Sequence, residues 1–298
     1  MPKVSVIIPS FGRPEFLRKS IQSVIDQTFS DWELLIVDDN GAGSRAQLET
    51  QEKISFSLKD SRIRYLIQEK NLGGSAARNR GWKAAVGEYI CFLDNDDEFY
   101  SSKLASQVHV LENSGFLMTV CRFESYKNGK KVRLSPPISA QDDYLIPFMQ
   151  GKLNFASGST LMISRGLLEK VGGYDEGFRR KQDVELMIRL LLREKLYVSD
   201  KVLVRLNIDD RGNIPTVDQF INFQKLFNSK FETTIKKLPQ KDQQLISQYE
   251  LIELAKVALW NKDWRIFFQT FFGKGLHFTN QASLTLDLVG KFIIYYLK

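Results

Sequence analysis

The stretch Y-I-C-F-L-D-N-D-D at 89–97 ends an apolar run in three carboxylates, Asp94, Asp96 and Asp97. Like charges set so close repel, and each is costly to desolvate, so such a cluster calls for a cation. Hard oxygen donors at a strand end suit Mg²⁺ or Mn²⁺, which take one or two carboxylates and complete their shell with phosphate oxygens and water. Solvated turn residues are the other reading of Asp-x-Asp, and position in the fold has to decide. Asp38-Asp39-Asn40 likewise follows the apolar run E-L-L-I-V at 33–37. In N-L-G-G-S-A-A-R-N at 71–79, Gly73 and Gly74 precede a helix start that carries Ser75 and Arg78. Glycine allows close backbone approach, a helix N-terminus favours anions, and an arginine neutralises phosphate or orients the acidic cluster. Ser75 serves equally well as an N-cap, and Arg78 as a structural partner of Asp94.

These residues need a scaffold that brings them together. Short β-branched runs at 4–8, 33–37, 62–68 and 89–93 alternate with helical patterns at 14–27 and 75–86. Strand, helix, strand implies a parallel sheet, so residues 1–97 read as a doubly wound α/β nucleotide-binding half. Ligands of such sheets bind outside the carboxyl ends of the strands. That rule puts Pro9-Ser10-Phe11, Asp38-Asp39-Asn40 and Asp94 to Asp97 on one rim. K-N-G-K-K at 127–131 reads as a hairpin turn. From Gln219 helical periodicity dominates, with aromatic stretches at 264–272 and 284–298. The expected division is a domain at 1–218, with halves 1–97 and 98–218, and a helical region at 219–298.

Composition narrows the class. With 298 residues and 43% hydrophobic content the chain can bury a sizeable core. Two cysteines cannot build a disulfide framework, which favours a reducing, cytoplasmic setting. The apolar start is broken at Pro9 and reads as a first strand instead of a signal peptide, and no segment reaches the roughly 18 apolar residues of a spanning helix. Residues 221–298 hold eleven basic against six acidic side chains, so most of the net +7 is C-terminal. That excess is either a solvated helical face or an attraction to anionic head groups, and without a patterned basic stripe nucleic acid is not the expected partner. The first strand is followed by S-F-G-R-P-E and not by G-x-G-x-x-G, which sets aside a dinucleotide-dependent dehydrogenase.

Six stretches in order, V-S-V-I-I-P-S-F at 4–11, L-L-I-V-D-D-N at 34–40, N-L-G-G-S-A-A-R-N at 71–79, F-L-D-N-D-D at 92–97, G-G-Y-D-E-G-F at 172–178 and Q-D-V-E-L-M-I-R-L at 182–190, resemble glycosyltransferase family 2. The resemblance implies a GT-A fold and metal-dependent, inverting transfer of a hexose or hexosamine from a nucleotide sugar, UDP favoured, to a glycan hydroxyl. It assigns Pro9, Phe11 and Asp39, with Asp38 beside it, to the base and ribose. Gly74, Ser75 and Arg78 fall to the diphosphate side, Asp94 with Asn95 to the ribose and sugar, and Asp96 to Mn²⁺ or Mg²⁺. Asp183 becomes the general base. Its alternative role as a helix N-cap would hold its pKa near or below the reference of about 3.9. Gln182 and Tyr174 fall on the acceptor side, where Tyr174 stacks on the acceptor sugar or belongs to the core. Glu185 and Arg189 are spaced to pair along one helix. One base without a nucleophile implies a single displacement with inversion.

The family often carries a His after the base helix, where this chain reads V-R-L-N-I-D-D-R-G-N at 204–213. Asn207 or Asp209 is the expected oxygen substitute, or Arg205 or Arg211 acts against the diphosphate. The resemblance further implies a lipid-linked oligosaccharide acceptor in capsule or other cell-surface polysaccharide synthesis, at the inner face of the cytoplasmic membrane. On this reading the C-terminal helices lie on that membrane, or pack on the catalytic part or on a second copy in a homodimer. The alternatives are an inactive nucleotide-sugar-binding scaffold, which would dispense with Asp183, and a Mg²⁺-dependent phosphotransferase of the haloacid dehalogenase type, which wants its Asp pair at the first strand.

Overall fold

A computed structural model describes residues 1–141, 143–209 and 214–273. The chain runs β1 (Val4–Ser10), α1 (Pro14–Ile25), β2 (Trp32–Asp38), α2 (Arg45–Ile54), β3 (Ile63–Ile67), α3 (Gly74–Ala84), β4 (Tyr89–Phe92), β5 (Glu98–Phe99), α4 (Lys103–Ser114), β6 (Met118–Lys127) and β7 (Lys130–Leu134). It continues with α5 (Leu145–Met149), α6 (Ser157–Thr160), β8 (Met162–Ser164), α7 (Arg165–Val171), α8 (Gln182–Leu191), β9 (Tyr197–Asn207), α9 (Val217–Lys236), α10 (Gln240–Trp260) and α11 (Trp264–Phe271). All the described strands join one sheet in the order β3-β2-β1-β4-β8-β6-β9-β5, with β7 hydrogen-bonded to β6.

The β1–β4 half is parallel, as the strand–helix alternation requires. Its central strands are covered on both faces, which is why they read as unbroken apolar runs and do not alternate. Pro9 ends this pattern without harm, because pairing of β1 with β4 stops at Ile7. The helix α3 lies close against β1: a Cβ on Gly81 would sit 2.4 Å from Ile7 Cγ2 and 3.2 Å from Val37 Cγ2. Beyond β4 the sheet turns mixed, since β8 runs antiparallel to both β4 and β6, while β9 is parallel to β6 and antiparallel to β5. The expected hairpin is present, its turn formed by Asn128 and Gly129 with φ of 49° and 73°. Both cysteines are free and buried, and burial pushes the Cys121 thiol up to about 12.

The chain divides into two compact units, Met1–Leu145 with Asn154–Asp210, and Ile146–Leu153 with Arg211–Lys298. The sheet belongs to the first. The expected boundary at 218/219 thus differs twice: it lies nearer 210, and the short segment at 146–153 joins the C-terminal helices. In this second unit Gln150 Nε2 donates to Asp242 Oδ1 at 2.8 Å, and α10 packs against α9 and α11. The α9 start has a full capping box, Thr216 with Gln219. The stretch expected at 284–298 lies outside the described residues. No described helix is long and apolar enough to cross a membrane.

Candidate active site

The carboxyl ends of β1, β2 and β4 converge as expected, and the loops that leave them are tied to one another. Asn40, the residue after the Asp pair, is the knot. Its backbone N–H and Nδ2 both donate to Asp38 Oδ1 at 2.8 Å, while its Oδ1 accepts from Gly12 N–H at 2.8 Å. The other oxygen of Asp38 accepts from the Tyr65 hydroxyl, and Asp38 is fully buried. Asp38 therefore braces the loop from below. Asp39 faces the other way: one oxygen accepts from Gln68 Nε2 at 2.6 Å and Leu72 N–H at 2.8 Å, the second from Gly73 N–H at 2.8 Å. It thereby anchors the glycine loop in front of α3. Phe11, on the same rim, is 59% exposed, an aromatic face held out towards solvent. Pro9 is half-buried just behind it.

At the start of α3 the N-cap is Gly73, with φ of 94°, and Ser75 is not a cap. Its hydroxyl instead donates to the Phe178 carbonyl at 3.0 Å, tying α3 to the G-G-Y-D-E-G-F loop. Gly74 leaves room for two side chains, since a Cβ there would lie 2.9 Å from Arg78 Nη1 and from the end of the Gln182 side-chain amide. Arg78 is the hub. Its Nη2 donates to Asp94 Oδ1 at 2.5 Å, and its Nη1 reaches Gln182 Oε1 at 2.8 Å once that amide is oriented so that its nitrogen donates to the Arg179 carbonyl. The guanidinium also lies over the Tyr174 ring at 5.4 Å, and Arg78 Nε is buried without a hydrogen-bond partner. The structural pairing of Arg78 with Asp94 is thus realised.

Tyr174 does not reach an acceptor. It is 3% exposed, meets Phe92 edge-on at 5.0 Å, and forms the floor beneath Arg78, so the core alternative holds. Gln182, expected on the acceptor side, points its amide at Arg78. Asn79, which the sequence did not single out, fixes this floor by accepting from Tyr174 N–H and donating to the Tyr174 carbonyl.

The acidic cluster is compact: Asp94, Asp96 and Asp97 each offer a carboxylate oxygen within 4.8 Å of the others. Each is held differently. Asp94 has Arg78, and Asp96 pairs with Arg13 Nη1 at 2.9 Å. Asp97 is buried and accepts from the Ser159 hydroxyl at 2.7 Å and Asn207 N–H at 3.1 Å. Asn95 is buried and sends Nδ2 to the Gly12 carbonyl at 3.4 Å. Oxygen-only donors, two of them part-exposed and one braced from behind, match a hard divalent cation, so the residues present fit Mg²⁺ or Mn²⁺.

The proposed substitutes for the missing His behave otherwise. Asn207 donates through Nδ2 to the Asp96 carbonyl at 2.8 Å and to Glu98 Oε1 at 3.0 Å, and its Oδ1 accepts from Arg205 Nε at 3.1 Å. With its polar atoms so engaged it clamps the acidic turn to β9 and does not present an oxygen to a metal. Arg205 lies over Tyr126 and 3.5 Å from Glu98. Asp209 accepts from Asn128 N–H at the β6–β7 turn, a bracing contact instead of a ligand position. Arg211 lies outside the described residues.

Asp183 is the second residue of α8, and the cap position is taken by Lys181 with φ of 48°. Its carboxyl is pushed above the ordinary range, first by burial and then by the charge of Asp94, against the pull of Arg78 and of the backbone N–H groups of Asp183 and Val184. The lowered pKa that the N-cap alternative would bring is therefore not seen: the helix start does act in that direction, but desolvation outweighs it. Glu185 and Arg189 do pair, at 2.5 Å, with Glu185 wholly buried.

The model of glycosyl transferase family 2 matches residues 5–172. The amylovoran biosynthesis glycosyltransferase AmsB of Erwinia amylovora is 28% identical over 192 residues, 62% of each chain. Some relatives are far longer, and the chain spans as little as 16% of one of them. Among solved structures, Staphylococcus aureus TarS in complex with UDP-GlcNAc has a TM-score of 0.58 at 16% identity over 93% of both chains. The mannosyltransferase PcManGT of Pyrobaculum calidifontis, in complex with GDP-Man and Mn²⁺, has a TM-score of 0.61 at 15% identity, covering 99% of this chain and 81% of that one. Those likenesses support a GT-A-type fold with C-terminal helices, and with the family match over more than half of the chain, this chain belongs to glycosyl transferase family 2.

Proposed function

We propose that the chain is a metal-dependent, inverting glycosyltransferase that moves a hexose or hexosamine from a nucleotide sugar, UDP-linked by preference, to a glycan hydroxyl. The observation that carries the reading is the compact cluster of Asp94, Asp96 and Asp97, each with a carboxylate oxygen within 4.8 Å of the others, together with Asp183 at the start of α8, whose carboxyl is pushed up by burial and by the charge of Asp94. A base tuned upward is better matched to a hydroxyl proton near neutral pH than an ordinary surface Asp.

The residues then divide the work. Asp39 and the exposed ring of Phe11 receive the base and ribose, with Asp38 as the brace beneath them. Arg78 holds Asp94 in place. Asp96, with Asp94 alongside, would hold the divalent cation, which supplies Lewis-acid neutralisation of the departing diphosphate. Asp183 takes the acceptor's proton as its oxygen attacks the anomeric carbon. The bond from that carbon to the phosphate oxygen breaks on the opposite face, and the electron pair leaves with the nucleoside diphosphate, inverting the centre. AmsB, by its name a biosynthesis enzyme of amylovoran, supports a cell-surface polysaccharide as the acceptor class. On α11, Trp264 and Phe268 are about half exposed, and with Phe272 just beyond they form an aromatic ridge that suits contact with a membrane carrying a lipid-linked acceptor.

Isothermal calorimetry with UDP, GDP and dTDP, with and without Mn²⁺, tests the reading. Metal-dependent binding of one nucleotide, lost in Asp96→Ala, is expected. Binding of none of them would sink it.

A further inference from the structure

The loop between β1 and α1 carries a cation that the acidic cluster does not need once a metal is bound. Gly12 is clamped on both sides, by Asn40 on its N–H and by Asn95 on its carbonyl. Arg13 follows at φ 54° and ψ 50°, a left-handed conformation that non-glycine residues seldom take, directly before Pro14. That backbone aims its side chain across 83 residues of sequence at Asp96, where Nη1 donates to Oδ2 at 2.9 Å. The guanidinium is 40% exposed and the carboxylate only 12%, so the arginine is the partner with freedom to leave.

Of the three clustered carboxylates, Asp94 pairs with Arg78 and Asp96 with Arg13, while Asp97 accepts from the neutral donors Ser159 and Asn207. A divalent cation at Asp96 and a guanidinium on the same carboxylate repel each other, so the two compete. Released, Arg13 sits on the same loop as Phe11, beside the site assigned to the nucleotide. A guanidinium fork there matches a phosphate by paired charge-assisted hydrogen bonds.

We propose that Arg13 is an exchange residue: it holds Asp96 until the divalent cation arrives, and then moves to the diphosphate of the donor. This rests on the metal role given to Asp96 above. The proposal demands opposite signs in two binding steps. In Arg13→Gln, Mn²⁺ alone should bind more tightly, by about 2- to 5-fold for the loss of a part-exposed competing ion pair. UDP in saturating Mn²⁺ should bind more weakly, by about 10-fold for lost charge-assisted bonds. Uridine, which has no phosphate, should bind the variant and the parent alike. Arg13→Lys, which keeps the charge, should leave Mn²⁺ affinity close to the parent's.

Calorimetry of Mn²⁺, UDP and uridine on the parent, both Arg13 variants and Asp96→Asn reads all of this, with thermal melting to establish that each variant is folded. Unchanged Mn²⁺ affinity in Arg13→Gln, weakening of both ligands together, or an equal loss for uridine would each overturn the exchange. A parent that binds no Mn²⁺ with or without UDP, or an Asp96→Asn variant that binds it as well as the parent, would instead overturn the metal site itself.

Discussion

Arg189 is the residue of α8 whose removal has the most readable cost. Its guanidinium donates to both oxygens of the wholly buried Glu185, at 2.5 and 2.8 Å, and to the carbonyls of Val171 at 2.6 Å and Gly173 at 2.7 Å. One side chain thus joins the base helix to the loop that carries Tyr174 under Arg78. Arg189→Met keeps most of the apolar stem and removes all four bonds. Taking one partner from a buried pair costs about 3–5 kcal/mol, because the remaining buried charge loses its counter-ion. The two carbonyls add about 0.5–1.5 kcal/mol each at most, less than additively within one network. Against a typical stability of about 5–15 kcal/mol, the variant should lose at least about a fifth. Glu185→Leu combined with Arg189→Met removes the buried carboxylate as well, so the double variant should recover most of the loss and stay about 1–2 kcal/mol below the parent for its carbonyls. Urea unfolding of the four proteins in a double-mutant cycle, with unchanged slopes, measures this. A single variant within about 1 kcal/mol of the parent, or a double variant no more stable than Arg189→Met, would refute the argument.

Four more outcomes follow from the site. Asp183→Asn should lower kcat by about 10²- to 10⁴-fold with nucleotide affinity unchanged; a loss confined to KM would reassign it to binding. The same variant should melt higher than the parent at neutral pH. The folded pKa of Asp183 is raised, so its ionised form penalises the fold above that pKa, and the advantage of Asn should shrink as pH falls through it. The acidic limb of kcat/KM should lie above the ordinary carboxylate range, and since Arg78 pulls Asp183 down, Arg78→Met should move that limb to higher pH; a limb that stays put would exclude Asp183 as the titrating base. Tyr65→Phe should cost about 1–3 kcal/mol by leaving buried Asp38 a donor short, while nucleotide binding persists if Asp38 is a brace; equal loss of binding would return Asp38 to the contact set.

What the sequence discloses of this site depends on how far apart the cooperating residues lie. Asp94, Asp96 and Asp97 fall within four positions at the end of an apolar strand, and the rule for parallel sheets puts them on the same rim as Asp39. The strands of the first half were legible because burial on both faces leaves unbroken apolar runs. Long-range partners were not. Arg13 meets Asp96, Ser75 meets the Phe178 carbonyl and Asn207 meets the backbone of Asp96, each across more than 80 positions. Asn, Ser and Arg brace a loop as readily as they hold a ligand, so residue type alone could not tell Asn207 the clamp from Asn207 the metal ligand. Asp183 shows the same limit in its electrostatics: its position in the helix argues for a lowered pKa, and the Asp94 charge that helps reverse it sits 89 positions away.

The small segment Ile146–Leu153 has a consequence for how the chain is made. It groups with the C-terminal helices, where a Cβ on Gly151 would lie 2.1 Å from the Tyr249 ring and Gln150 meets Asp242 across 92 positions. On a ribosome adding about 5–20 residues per second, that partner emerges some 5–20 s later. Until then the loop that leaves the first unit at Leu145 and returns at Asn154 lacks the helix residues that Gln150 and Gly151 meet in the complete fold. A chain stopped at 218 would remain in that state, a target for chaperones and proteases, so the sheet-bearing unit is not freed by a single cut behind the last strand.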